Sequence, residues 1–189
     1  MWVSLGAGLF DANSVSDGRT GSSWAFGEAT TAQYRAALEK AINASMAVGV
    51  VTSFSRVPFT YIGTDGPESC ARCDAHMNVV SLGGSFHYGG GAGLHQVVEA
   101  SAGVLQYRDL RRDAGGDLAP TNGNIDPYIT FGYGFGYAFN PVMQLSIVQD
   151  FGIALHEREG LTSEQSNALR QRTLRLNFRY GFGNRWRRR

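Results

Sequence analysis

The strongest constraint on the fold is a strict alternation of apolar and polar side chains near the end of the chain. From Thr173 to Phe182, the sequence TLRLNFRYGF has an apolar residue at every second position and two arginines among the others. A β-strand directs successive side chains to opposite faces, so this stretch has one apolar and one polar face. Residues 127–139, PYITFGYGFGYAF, alternate in the same way, but glycine dominates their second face. These patterns predict an all-β chain.

One segment, AQYRAALEKAIN at residues 32–43, has the composition of a helix, because alanine, leucine, glutamate and lysine are strong helix formers. An internal similarity indicates otherwise. Residues 41–54, AINASMAVGVVTSF, align without a gap with residues 138–151, AFNPVMQLSIVQDF. The second copy has Asn140-Pro141 between two alternating runs, which is typical of a hairpin turn. We therefore expect residues 32–43 to form a strand.

Similar runs along the rest of the chain predict eight strands in total, joined by connections that alternate between tight and long. Short turns at one end and long loops at the other are the layout of an outer-membrane barrel. The expected strands include Trp2–Phe10, Met77–Tyr88 and about Leu94–Arg108. The tight turns lie near Asn43, Gly90 and Asn140, and the long polar connections span about residues 11–30, 61–76, 109–125 and 156–168.

Composition narrows the class of protein further. The chain has 189 residues, which suits one domain, and its 17 basic side chains nearly cancel its 16 acidic ones. That balance predicts no binding to nucleic acid. No apolar run approaches the roughly 18 residues of a membrane-spanning helix. The sequence after Met1 also lacks the pattern of an export signal, so the chain is either intracellular or a mature exported protein whose signal is missing from it. The barrel features described below favour the second.

A barrel with this alternation could bury its apolar face, as a soluble lipocalin does, or turn it outward into lipid. Two features favour lipid: the glycine-rich face would fill a narrow interior, and the apolar faces run for about 9 to 11 residues, the length of a tilted membrane strand. Aromatic residues near the strand ends are expected to form belts at the two membrane interfaces. They are Trp2, Phe10, Phe59, Tyr61, Phe86, Tyr88, Phe139, Phe182 and Trp186.

The chain resembles the small outer-membrane β-barrel family that includes the OmpA, OmpX and OmpW types. The resemblance covers nearly the whole chain, and its most specific part is FRYGF at residues 178–182, which looks like the aromatic-ended signal read by barrel-assembly machinery. It implies an eight-stranded antiparallel up-and-down transmembrane β-barrel over residues 1–183, with short periplasmic turns and long extracellular loops. Residues 184–189 are then a basic C-terminal tail, which could grip lipid phosphates or a periplasmic partner or remain solvated.

Several charged side chains are expected to point into the barrel. An eight-stranded barrel is too narrow for an open aqueous lumen, so these groups should pair with one another. We expect Asp150 and Arg175 at one height and Glu39, Glu99 and Arg179 in a lower group. A gated ion path or a catalytic site are the alternatives. The expected interior charges are Arg35, Glu39, Glu99, Asp150, Arg175 and Arg179, with His87 as a possible addition.

The sequence CARCDAH contains Cys70 and Cys73, which could form a local disulfide or bind a metal with Asp74 or His76. In a long loop of an exported protein the disulfide is favoured, and no metal or cofactor is predicted. His156 is expected to be a solvated loop residue.

These features together predict a non-enzymatic integral barrel of a Gram-negative outer membrane, in contact with membrane lipid and lipopolysaccharide. Its role would be structural or one of interaction, through the extracellular loops or with an envelope protein. A narrow channel for small or apolar solutes is the main alternative. An enzyme of the outer leaflet and a soluble lipid carrier rank below it.

Overall fold

The computed structural model describes residues 1–27, 30–63, 70–118 and 125–182, and the regular structure in these ranges is antiparallel sheet. Within them, no helix has the length and apolar character needed to cross a membrane. The strands are Trp2–Ala12 (β1), Val15–Asp17 (β2), Ser22–Ala25 (β3), Thr31–Ala41 (β4), Met46–Ile62 (β5), Cys73–Tyr88 (β6), Gly93–Arg112 (β7), Ile125–Asn140 (β8), Met143–Leu155 (β9) and Ala168–Gly181 (β10).

Eight of these strands close into a barrel. The sheet runs in the order β5-β4-β1-β10-β9-β8-β7-β6, and pairing of β5 with β6 completes the ring. The short β2 and β3 form a separate hairpin that extends the sheet from β5. The predicted eight-stranded antiparallel barrel is confirmed.

The segment with helical composition is strand β4, as the internal similarity predicts. Leu38 pairs with Val3 of β1 on one side and with Val50 of β5 on the other. Its neighbours Arg35 and Glu39 lie on the inner face. Cross-strand pairing on both sides therefore outweighs the weak local preference for a helix.

The apolar face of the barrel lies outside. Leu176 of β10 and Phe135 of β8 are 51% and 53% exposed, whereas Asn177 beside Leu176 is 2% exposed. The polar and glycine-rich faces of the strands line the interior. This is the arrangement that the alternation predicts for a barrel in lipid, and it is opposite to that of a lipocalin.

The aromatic belts are only partly as expected. Tyr88, Phe139 and Phe182 are exposed on the outside, and Phe86 is half-buried. Trp186 lies outside the described residues. The side chains of four others are buried because they occupy the alternate positions that face the interior. Their location near a strand end does not show which face they occupy. These four are Trp2, Phe10, Phe59 and Tyr61.

The rim at the long-loop end is uneven. Strand β7 has 20 residues and β5 has 17, whereas β1 and β4 have 11 each. The strands β5 to β7 therefore continue past the apolar belt as a projecting wall. This explains why β6 begins at Cys73 rather than Met77 and β7 continues to Arg112 rather than Arg108.

Candidate functional site

The barrel interior contains the charged residues that the sequence analysis singled out, and the lowest of them lie near the short turns. Arg179 of β10 pairs with Glu39 of β4 through Nη2 and Oε2, 2.8 Å apart. The same guanidinium donates to Gln144 Oε1 at 3.3 Å and lies 4.3 Å from the ring of Trp2. A buried arginine that has a carboxylate, an amide and an aromatic face as partners is well satisfied.

A second group, which we call the central charge cluster, consists of Arg35, Glu99, Asp150 and Arg175. Arg175 donates from Nε to Asp150 Oδ2 at 2.6 Å and also hydrogen-bonds to Glu99. Arg35 Nη2 lies 3.3 Å from Glu99 Oε2, and its Nη1 is 4.0 Å from Asp150 Oδ1. Each carboxylate thus contacts both guanidinium groups.

The structure places Glu99 in this central cluster, and not in the lower group with Glu39 and Arg179 where counting from the turns had placed it. That expectation was wrong because strands in a barrel are tilted and staggered, so equal residue counts on distant strands do not give equal heights. His87 lies below, with Nδ1 at 3.1 Å from Glu99 Oε1.

The interior charges in these two groups balance. Arg35, Arg175 and Arg179 face Glu39, Glu99 and Asp150, so three positive groups meet three negative ones. The glycine-rich face of β8 makes room for them. A Cβ at Gly132 would lie 2.3 Å from Asp150 Oδ1, so a larger residue there would displace this carboxylate.

Above the charges, the interior is closed by an aromatic cluster at the long-loop end. Trp24 of β3 is fully buried, with its ring centroid 5.2 Å from Tyr107 and 6.2 Å from Phe59. Strand β3 is held there by pairing with β5, where Trp24 lies opposite Tyr61. The β2–β3 hairpin therefore places a tryptophan across the mouth of the barrel.

His156, at the base of the β9–β10 connection, is part of this closure. The sequence predicts a solvated loop residue, which is wrong: His156 is 3% exposed and its ring centroid is 5.0 Å from that of Trp24. Nδ1 lies 2.9 Å from Asp126 Oδ2, and Nε2 lies 3.4 Å from Asp17 Oδ1. The ring thus bridges β8 to the hairpin.

These contacts set the protonation of the cluster. Burial alone would lower the pKa of His156, but the hydrogen bonds and charges of Asp126 and Asp17 raise that pKa to about 9. Burial works against ionisation of Asp17 too, yet hydrogen bonds and the charge of His156 leave the pKa of Asp17 below its usual value. The ring is therefore a cation between two carboxylates at neutral pH.

The β2–β3 hairpin is absent from the predicted strands, although the sequence contains two signals for it. Asp17-Gly18 is a turn dipeptide typical of hairpins, and Trp24 and Phe26 alternate with small residues in an otherwise polar loop. In the structure Asp17 accepts hydrogen bonds from the Arg19 amide and the Thr20 hydroxyl, which fixes the turn. Strand β3 is only four residues long, which is too short for a clear alternation of apolar and polar side chains.

Cys70 and Cys73 form the predicted local disulfide, with a Cα–Cα distance of 6.2 Å. Both sulfurs are therefore committed to each other and are not free to bind a metal. The bridge lies at the start of β6 against the aromatic cluster. His76 instead pairs with Asp113, through Nδ1 and Oδ1 at 2.7 Å.

We expect this disulfide to contribute modestly to stability. A bridge that closes only a few residues limits the unfolded chain little, so replacing both cysteines by serine should lower the free energy of unfolding by about 2 kcal/mol or less. Urea titration of the folded barrel in detergent would measure the change. Reduced wild-type protein is the matched control and should behave like the variant. Complete loss of the barrel would contradict this expectation.

Comparison with known proteins identifies the fold. No protein-family model and no curated protein matches the chain. Among solved structures, Neisserial surface protein A (NspA) has 16% sequence identity and a TM-score of 0.63, with 96% of each chain covered. Ail of Yersinia pestis, solved with a heparin analogue, has 12% identity and a TM-score of 0.46 over 95% of this chain and 98% of that one. The N-terminal domain of Pseudomonas aeruginosa OprF has 15% identity and a TM-score of 0.40 over 94% and 97%. From the match to NspA and the closed ring of eight antiparallel strands, the chain has the fold of a small eight-stranded outer-membrane β-barrel.

Proposed function

We propose that this protein is an integral outer-membrane barrel with a closed lumen, that it is not an enzyme, and that it acts through its long-loop end. Membrane lipid and lipopolysaccharide would surround it, and an envelope protein could bind the loops. The observation that carries this proposal is the combination of an apolar outer surface with an interior that side chains fill from the short turns to the long-loop end.

The exterior supports insertion into a membrane. Large apolar side chains such as Leu5, Leu82, Phe131 and Ile147 are each more than half exposed, which is costly in water and favourable in hydrocarbon. Each of the eight long strands pairs with a neighbour on both sides to close the ring, so the sheet has no free edge within the membrane core.

The interior supports a plug rather than a pore. The lower ion pair, the central charge cluster and the aromatic cluster occupy successive heights in the lumen. Between the last two, a cavity of about 10 Å³ lies beside Arg35, Tyr128 and Gln171, which is enough for about one water molecule. An ion would have to break several buried pairs to pass.

Planar-bilayer recording tests the closed lumen. Purified protein should insert without sustained current, because the neutral charge cluster and Trp24 block the path. A Trp24→Ala variant, which opens only the upper level, should remain closed at the central cluster. Steady, ion-selective current from the parent protein would contradict the closed lumen and support a narrow channel instead.

Labelling tests the membrane insertion itself. Spin labels on single cysteines introduced at Leu176 or Phe135 should be quenched by a lipid-soluble reagent in liposomes. A label at Arg111, which is exposed on the projecting wall, should respond instead to a water-soluble reagent. Equal quenching of both sites by the water-soluble reagent would show a soluble barrel.

A further inference from the structure

The outer surface of β10 carries two neighbouring arginines at the upper edge of the apolar belt. Arg172 and Arg170 both point outward, two and four positions beyond the lipid-facing Leu174. Along a strand, residues two apart are about 7 Å from each other on the same face. Their cross-strand neighbours on β9 are Ile153 and Phe151, so the two charges border an apolar surface.

The two arginines differ in their partners. Arg172 donates from Nε to Asp11 Oδ2 at 2.7 Å, whereas no described residue forms an ion pair or side-chain hydrogen bond with the guanidinium of Arg170. The group of Arg170, Arg172 and Asp11 thus has a net charge of +1. Its most available donors are those of Arg170.

Grooves lie on both sides of Arg170. One, of about 370 Å³, is lined by Ile129, Phe131, Phe151 and Ile153, and it lies on the lipid-facing surface of β8 and β9. The other, of about 340 Å³, is lined by Asp11, Asn13 and Arg172 together with Ala12 and Phe151. Each is within the range of small-molecule sites. Arg170, Gln171 and Phe151 line both grooves, so an apolar groove adjoins one that carries two guanidinium groups and one carboxylate.

We infer that this surface binds the phosphorylated headgroup of an outer-leaflet lipid between Arg170 and Arg172, with one acyl chain in the apolar groove. A guanidinium offers a rigid fork of donors that matches a phosphate, and two of them can hold the group from two sides. The apolar groove lies on the lipid-facing surface of β8 and β9, where acyl chains would pack. Charge and shape together select an anionic, phosphate-bearing lipid over a zwitterionic or neutral one.

This inference rests on the proposed membrane insertion and can fail independently of it. Native mass spectrometry of detergent-solubilised protein would count bound lipid A, compared with dephosphorylated lipid A and inorganic phosphate. We expect affinity for lipid A to fall about fivefold for Arg170→Gln or Arg172→Gln and on the order of thirtyfold for both. Dephosphorylated lipid should bind the parent protein as weakly as lipid A binds the double variant.

Arg56→Gln is the matched control, because Arg56 is another exposed arginine, located on β5, three strands away and outside both grooves. It should leave lipid A binding unchanged. An equal loss in the control would overturn the inference in favour of a nonspecific charge effect. Inorganic phosphate that binds as tightly as lipid A would also overturn it, because the apolar groove would then contribute nothing. If the variants bind each lipid as tightly as the parent protein does, and still insert and migrate as folded barrels, only this inference fails. Loss of insertion in the parent protein would instead reject the proposed function.

Discussion

Replacement of Arg175 by methionine is expected to lower the free energy of unfolding by about 3 to 5 kcal/mol, the cost of leaving buried carboxylates without their main partner. Asp150→Asn should cost less, because Arg175 keeps Glu99. The double variant should lose much less than the sum of the two single changes, since neither member of the pair is then left alone. Urea titration of the four proteins, followed by heat-modified gel migration, measures this coupling.

The exposed pair of Arg172 and Asp11 is the control for this cycle. It joins the same residue types, with its arginine also on β10, at 2.7 Å, but both side chains are exposed. Arg172→Met and Asp11→Asn should each cost at most about 1 kcal/mol, with little coupling. If the buried pair shows the same small costs and weak coupling as this exposed pair, water already solvates the central charge cluster and the proposal of a closed lumen is wrong.

Raising the pH through about 9 is expected to loosen the closure at the long-loop end. The pKa of His156 is raised to about 9 in the folded protein, from an ordinary value near 6.5. A group with a raised folded pKa contributes stability that is fully present below its unfolded pKa and is lost as the pH rises through the folded one. The shift corresponds to about 3 kcal/mol that disappears between about pH 7 and pH 10.

Hydrogen exchange of the β2–β3 hairpin, measured across this pH range and corrected for intrinsic rates, would report the loosening. His156→Gln should remove the pH dependence and increase exchange at neutral pH. His76→Gln is the control, because His76 also pairs with an aspartate but at a more exposed site. A hairpin whose protection is constant from pH 7 to 10 in the parent protein would contradict the role of His156.

The fold could be predicted because period two is a local signal. Alternation identified the apolar face of β8 and β10, and the internal similarity corrected the helical composition of β4. Apart from β4, the strands could be interpreted from their own residues, without knowledge of their neighbours. The barrel then followed from the number of strands and the alternation of connection lengths.

The interior could be predicted only in part. Parity shows that Glu99 points inward, but its height relative to Arg175 depends on tilt and stagger, which no single strand encodes. His156 lies after the end of β9, where alternation has stopped and only the folded loops determine burial. Trp24 is buried because a short hairpin pairs with the upper part of β5, a contact between distant segments.

The uneven rim has a consequence for recognition. The upper parts of β5, β6 and β7 are paired strands rather than loops, so side chains such as Pro58, His76 and Arg108 are presented on a backbone that is already fixed by hydrogen bonds. A partner that docks on this wall would therefore lose little conformational entropy in ordering it, and more of the contact energy would appear as affinity. Side chains on the outer face of the wall could change without disturbing the barrel below, because the core residues of β5 to β7 lie on the inner face. Substitutions that alter binding could thus accumulate on the wall without altering the folding of the barrel.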